Sequence, residues 1–317
     1  MNIIFMEPVF KNYIWGGEKL KKEFNKNTPF DTTAESWEIS SNKNGDCRII
    51  NKEYNGKTLK NLFEDEKLKE KIFGRKCKDL KEFPLLIKFI DAKENLSIQV
   101  HPDDEYAKKI GLESGKTEMW YIMECADNGK IIGGLNTILT QNELHDVIEN
   151  DNLKDYLNYI DIKRGDSIYI PAGTVHAILK NTLICEIQQN SDITYRVYDW
   201  DRKDKDGKGR ILHKKEAIET IKTKNVPSII HSNKKLEIQK IVESEFFEVE
   251  KINCKDTFEE ISDLDTFFVL NVVEGDGIIE TTTEKYKIKK GNSFLIPATM
   301  GKYKIIGRIE LLKSYIK

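Results

Sequence analysis

The chain has 317 residues, 39% of them hydrophobic, enough to bury a large core and to form two domains. Lys and Arg number 51 against 53 Asp and Glu, and the resulting net charge of -2 gives no general attraction to nucleic acid or to a membrane surface. No window holds the roughly 20 apolar residues of a membrane span. The N-terminus, Met1-Asn2-Ile3-Ile4-Phe5-Met6-Glu7-Pro8, lacks the basic flank of a signal peptide. Five scattered cysteines with no CxxC pair read as reduced thiols, and a cytoplasmic location is expected.

The first hundred residues read as short strands between polar turns, with one helix over residues 58–73. Thr58 is a suitable N-cap there, and Leu59, Leu62, Phe63 and Leu68 fall toward one side. Lys88 interrupts the apolar strand Leu85-Leu86-Ile87-Lys88-Phe89-Ile90, and a lysine in such a run needs a partner. Residues 96–104 read as a strand carrying Gln99 and His101 on one face, because side chains two apart on a strand point the same way. A second strand opens at Glu118, two residues after Lys116. Leu144, Val147, Ile148, Leu153 and Leu157 recur at helical spacing and predict a helical insertion over residues 141–159.

Residues 162–176 then predict a Gly-Asp turn, a strand from Ile168 to Ile170, a stop at Pro171 and Gly173, and His176 on the turn or strand that follows. Glu186 is a carboxylate inside the apolar strand Leu183-Ile184-Cys185-Glu186-Ile187. Arg196, in Tyr195-Arg196-Val197-Tyr198, needs an anionic partner, and the charged loop of residues 201–210 is expected near the same pocket. Residues 214–222 predict a short helix, while His145, His213 and His231 read as surface groups.

His101, Glu118 and His176 form a donor set that suits a divalent metal such as zinc and leaves room for water or substrate. Gln99 is either a fourth ligand or a neighbour. Later in the chain, Ile288-Lys289-Lys290-Gly291-Asn292-Ser293-Phe294-Leu295-Ile296-Pro297-Ala298 repeats residues 162–172, and residues 266–277 overlay residues 118–129. The offset falls from 148 to 126, so the first copy holds 22 additional residues, placed in the helical insertion. Two related β-barrels follow from this. The overlay sets Lys302 at His176 and Thr266 at Glu118, so the second copy lacks both ligands.

These segments, together with Asn12-Tyr13-Ile14-Trp15-Gly16-Gly17, Ala34-Glu35-Ser36-Trp37-Glu38-Ile39-Ser40 and Thr194-Tyr195-Arg196-Val197-Tyr198-Asp199, resemble the short bacterial form of the class I mannose-6-phosphate isomerases. The resemblance implies a mainly β chain of two cupin (jelly-roll-like) β-barrels with short helical insertions. Residues 1–235 would be the catalytic, metal-binding domain, with insertions at about 58–73 and 141–159, and residues 236–317 a second barrel without metal ligands. It implies one Zn2+ per chain and interconversion of mannose 6-phosphate and fructose 6-phosphate by enediol proton transfer. Arg196 takes a catalytic or enediolate-stabilising role, Lys116 and Glu186 are proton-transfer candidates, and Lys88 and Ser97 match phosphate-binding positions. Glu186 reads equally well as a structural partner of Arg196.

The chain departs from longer members at Ile178, where they carry an aromatic residue, and it lacks their large helical domain. The expected partner is a small sugar phosphate, with no nucleic acid or membrane, and the oligomeric state stays open between monomer and homodimer. Two other readings fit parts of the pattern. A non-haem iron cupin oxygenase would share the ligand set but leave Lys88, Lys116 and Arg196 without a task. A non-catalytic sugar-phosphate-binding cupin would bind without exchanging protons.

Overall fold

The computed structural model describes residues 1–54, 56–203 and 206–317. The chain divides into two units, one of residues 1–11, 18–89 and 232–317, the other of residues 12–17 and 90–231. In the first unit one sheet runs in the order Ile238–Glu243, Glu248–Cys254, Lys302–Tyr315, Phe268–Thr281, Ser293–Ile296, Ile4–Glu7 and Arg48–Ile49. Ile4 and Phe5 stand opposite Leu295 and Phe294, so the first residues of the chain complete a sheet built mainly from the last. Alternation along Phe268–Thr281 sends Phe268, Leu270 and Val272 into a core with Ile252, Phe258, Phe294 and Leu311. Each such buried side chain contributes on the order of 1.5–3 kcal/mol.

The helix expected over residues 58–73 is two helices, Leu59–Glu64 and Glu66–Phe73. Asp65 breaks the run by adopting an extended backbone and accepting from Lys67 N as the N-cap of the second. Thr58 caps the first, in a reciprocal box with Asn61. Leu59, Leu62 and Phe63 are buried as expected, and Ile72 and Phe73 join them, while Leu68 is only half-buried.

In the second unit a five-stranded sheet has the order Leu157–Asp161, Lys130–Leu135, His176–Ile178, Ile98–Val100 and Tyr195–Tyr198. Ser228–Ile230, Ser167–Ile170, Glu118–Glu124 and Thr182–Gln189 form another antiparallel set. The mainly β, cupin-like architecture expected from the sequence is present, as β-sandwiches whose sheets stay open: the strand order of this sheet ends at Leu157–Asp161 and Tyr195–Tyr198. The helix Lys214–Thr220 packs against that last strand, whose Arg196 backbone is bonded on its outer side by His213.

The helical insertion is shorter than its periodicity predicts. Gln141–Glu149 is α-helical and buries Leu144, Val147 and Ile148, Leu153–Tyr156 is a 3-10 turn, and Leu157 already opens a strand. Asp151, in the left-handed region at φ 58°, separates helix from turn. Thr140 caps the helix, its Oγ1 accepting from Glu143 N at 3.3 Å while Glu143 Oε2 accepts from Thr140 N at 2.8 Å. Thr140→Ala is expected to lower stability by about 1 kcal/mol, measured by denaturant unfolding, and to leave metal content unchanged.

Candidate metal centre

Cross-strand register assembles the site. Gln99 stands opposite His176 on one neighbouring strand and opposite Arg196 on the other. Paired residues share a face of the sheet, so the three form a row, with the outer Cα atoms about 10 Å apart at ordinary strand spacing. Glu118 opens the facing strand, directly opposite Ile170 and Gln188. The Pro-Ala-Gly turn delivers His176: Gly173, at φ 86°, donates its N–H to His101 O at 2.8 Å and so ties the two histidine segments together. A side chain at that φ would be strained. Gly115 brings Lys116 inward by close approach, since a Cβ there would lie 2.4 Å from the Asp103 carbonyl carbon.

His101, Glu118 and His176 are almost wholly buried, and one ligand atom of each lies within 4.8 Å of the others. The histidine tautomers are set from behind. His101 Nδ1–H donates to Ile193 O at 2.7 Å and His176 Nδ1–H to Thr174 O at 2.8 Å, leaving both Nε2 lone pairs facing Glu118. Burial lowers the pKa of His176, with the Glu118 charge opposing it, and this favours the neutral ring that ligates. His176 Nε2 and Glu118 Oε1 are 3.3 Å apart. With Nδ1 holding the proton, these are two acceptors in contact. Glu118 Oε1 is buried and has no hydrogen-bond donor among the described residues. Such an arrangement is unfavourable alone and favourable around a cation, so the residues fit a divalent metal.

Lys116 is the charge already at the site. Its ammonium donates to Glu118 Oε2 at 2.5 Å and to His101 Nε2 at 3.1 Å, and lies 3.7 Å from Glu186 Oε1. Glu186 Oε2 accepts from Trp120 Nε1 at 3.0 Å, and the same indole meets the His176 ring edge-on at 5.5 Å. Trp120 escaped the sequence reading. Its signal was its spacing, two residues beyond Glu118 on the same strand face.

Gln99 lies beside the centre. Its Nε2 is 3.4 Å from His176 Nε2, and its Oε1 accepts from Ser97 Oγ at 3.3 Å, so the amide oxygen faces the serine. Lys88 falls in the first unit, buried, 3.8 Å from Glu35 Oε2 and 5.2 Å over the Trp37 ring.

Arg196 opens on a separate cleft of about 570 Å3 in the second unit, shared with Tyr13, Asp199, Arg202, Arg210 and His213. Its Nη1 donates to Ile211 O at 2.9 Å, and its buried Nε has no acceptor among the described residues. Arg202, Lys203, Lys208, Gly209 and Arg210 place the expected loop at this cleft, and residues 204 and 205 lie outside the described set. His213 corrects its surface reading: it is half-buried, its Nδ1 accepts from Arg196 N at 3.2 Å, and it lines the cleft. His145 is exposed, and the exposed His231 ring pairs with buried Asp166 at 2.7 Å. In the first unit Lys302 is exposed, and Thr266 is buried with its hydroxyl on Phe267 O. Among the described residues, the only group of three or more His, Cys, Asp or Glu side chains arranged to hold a metal is His101, Glu118 and His176. The cysteines are free thiols, and no described helix is long and apolar enough to cross a membrane.

Residues 3–126 match the family model for phosphomannose isomerase type I, catalytic domain, and residues 237–316 match that for mannose-6-phosphate isomerase, cupin domain. From Bacillus subtilis, the putative mannose-6-phosphate isomerase YvyI is 40% identical over 99% of the chain and 98% of its own length. Mannose-6-phosphate isomerase ManA of the same organism is 39% identical over the same shares. The crystal structure of a mannose 6-phosphate isomerase from Bacillus subtilis superposes with a TM-score of 0.91 at 39% identity, covering 100% of both chains.

Proposed function

The chain belongs to the type I phosphomannose isomerase family, an aldose–ketose isomerase family, and from that premise we propose that it interconverts mannose 6-phosphate and fructose 6-phosphate with zinc at His101, Glu118 and His176. The reaction opens a sugar ring, moves a proton between C2 and C1, and passes through an enediolate. The observation that carries the reading is the pair of unprotonated Nε2 atoms set against a buried carboxylate with an orphan oxygen. Bound there, zinc would supply Lewis-acid polarisation of the substrate oxygens.

The chain's own groups divide the remaining work. Glu186 accepts the carbon-bound proton and returns it, with Trp120 fixing its other oxygen. Lys116, 3.7 Å from Glu186, supplies a proton to the developing oxygen. Arg196 stabilises the enediolate charge with a guanidinium whose Nε is still unpaired. The cationic cleft around Arg196, Arg202 and Arg210 attracts the anionic substrate as a whole. From the family resemblance, Lys88 and Ser97 are each kept as a phosphate-binding candidate, and Gln99 as a fourth ligand that a half-turn of its amide would complete. Residues 236–317, lacking counterparts of Glu118 and His176, are assigned a role without metal chemistry, and residues 1–235 the catalytic one.

Metal analysis with a coupled fructose 6-phosphate assay tests this. Purified protein is expected to hold about one zinc per chain, to lose turnover on chelation, and to regain it with zinc. Iron content without isomerase activity would favour the oxygenase reading. Sugar-phosphate binding without solvent-proton exchange at C1 or C2 would favour the non-catalytic one.

A further inference from the structure

Asp199 is 5% exposed and surrounded by arginine. Its Oδ1 accepts from Arg202 Nη2 and Arg210 Nη2, each at 2.5 Å, and its Oδ2 accepts from Arg210 Nε at 2.7 Å. Arg202 is also fixed to the backbone, donating from Nη1 to Asn95 O at 2.6 Å. One carboxylate therefore joins both ends of the loop that leaves and returns between residues 199 and 210. Immediately past that closure, Ile211 O accepts from Arg196 Nη1, while His213 N donates to Arg196 O at 2.8 Å and His213 Nδ1 accepts from Arg196 N. Where Ile211 sits decides where the Arg196 guanidinium points.

We propose that Asp199 is a positioning residue for the isomerase reaction, clasping the loop so that Ile211 and His213 hold Arg196 toward the substrate. The proposal rests on the catalytic reading of Arg196. Bidentate pairing gives the clasp direction as well as strength. Charge supports it too: three guanidiniums line one cleft, and Asp199 is the carboxylate set among them. Burial would raise the Asp199 carboxyl, but hydrogen bonds from Arg210 and Arg202 outweigh it and keep the group ionised.

A double-mutant cycle separates positioning from plain structural support. Asp199→Asn is made in the wild type and in Arg196→Lys, with kcat, KM, metal content and melting temperature measured for each. In the wild type, Asp199→Asn is expected to lower kcat between about 10- and 100-fold, the scale of a misplaced catalytic group. KM should move less, metal content should not change, and Asp199→Glu should recover part of the loss. In Arg196→Lys the same change should cost less than about threefold, because the geometry it protects is already gone. Equal losses in both backgrounds, or wild-type kcat in Asp199→Asn, would overturn the proposal. Wild-type turnover in Arg196→Lys and Arg196→Ala would instead remove its premise, and the proposal with it. Should Asp199→Asn fail to fold, Arg210→Lys breaks the bidentate half of the clasp while keeping the charge, and must show the same coupling.

Discussion

His176→Ala is expected to abolish zinc binding at stoichiometric metal and to lower kcat/KM by far more than the roughly 10–100-fold typical of outer-shell partners. The proposed site relies on three almost wholly buried side chains, so a lost imidazole cannot be replaced by another His, Cys, Asp or Glu of the described residues. The substitution removes one of the two Nε2 lone pairs and leaves Glu118 Oε1 without the atom 3.3 Å away that would share its cation. His176 also packs against Trp120, which holds Glu186, so the loss reaches the proposed proton-transfer pair. Inductively coupled plasma analysis together with the coupled assay reads both effects. Zinc held at one per chain in His176→Ala would show that the metal lies elsewhere.

Arg196→Ala is expected to separate metal binding from turnover. Its side chain bonds to Ile211 O and opens on the cleft, whereas the metal-holding group is His101, Glu118 and His176. Zinc should stay near one per chain. Removing a donor aimed at developing negative charge costs about 100- to 1000-fold in kcat, or roughly 2.7–4 kcal/mol of transition-state stabilisation. Arg196→Lys should retain more, because it keeps the charge while losing the planar fork. Zinc loss in Arg196→Ala would count against a purely catalytic role.

Much of the centre was legible because strand geometry is local. Side chains at Gln99 and His101 share a face by the two-residue period, and Pro171 and Gly173 mark the turn before His176 without any tertiary information. The repeat added contrast, since turn residues such as Gly165 and Pro171 recur in the second copy while Glu118 and His176 do not. Length was less legible than existence. The apolar spacing over residues 141–159 continued past the true helix end, because Leu153 and Leu157 are buried by a 3-10 turn and a strand rather than by the helix. The break at Asp65 was hidden for a related reason: a capping aspartate inside an amphipathic run looks like one more polar position.

The sequence alone determined which residue types converge and the chemistry they can perform: two imidazoles, a carboxylate, a lysine two residues away, and an arginine in an aromatic strand. These follow from covalent order and the two-residue strand period. Only the tertiary structure decided which atoms face which. The carbonyls of Ile193 and Thr174 set the histidine tautomers, Trp120 fixes Glu186, and His213 with the Asp199 clasp holds Arg196. It also joined Ile4–Glu7 to a sheet built mainly from residues 238–315. Such contacts depend on backbone groups and on residues far apart in sequence, brought together by burial of the shared core, and no local pattern encodes them.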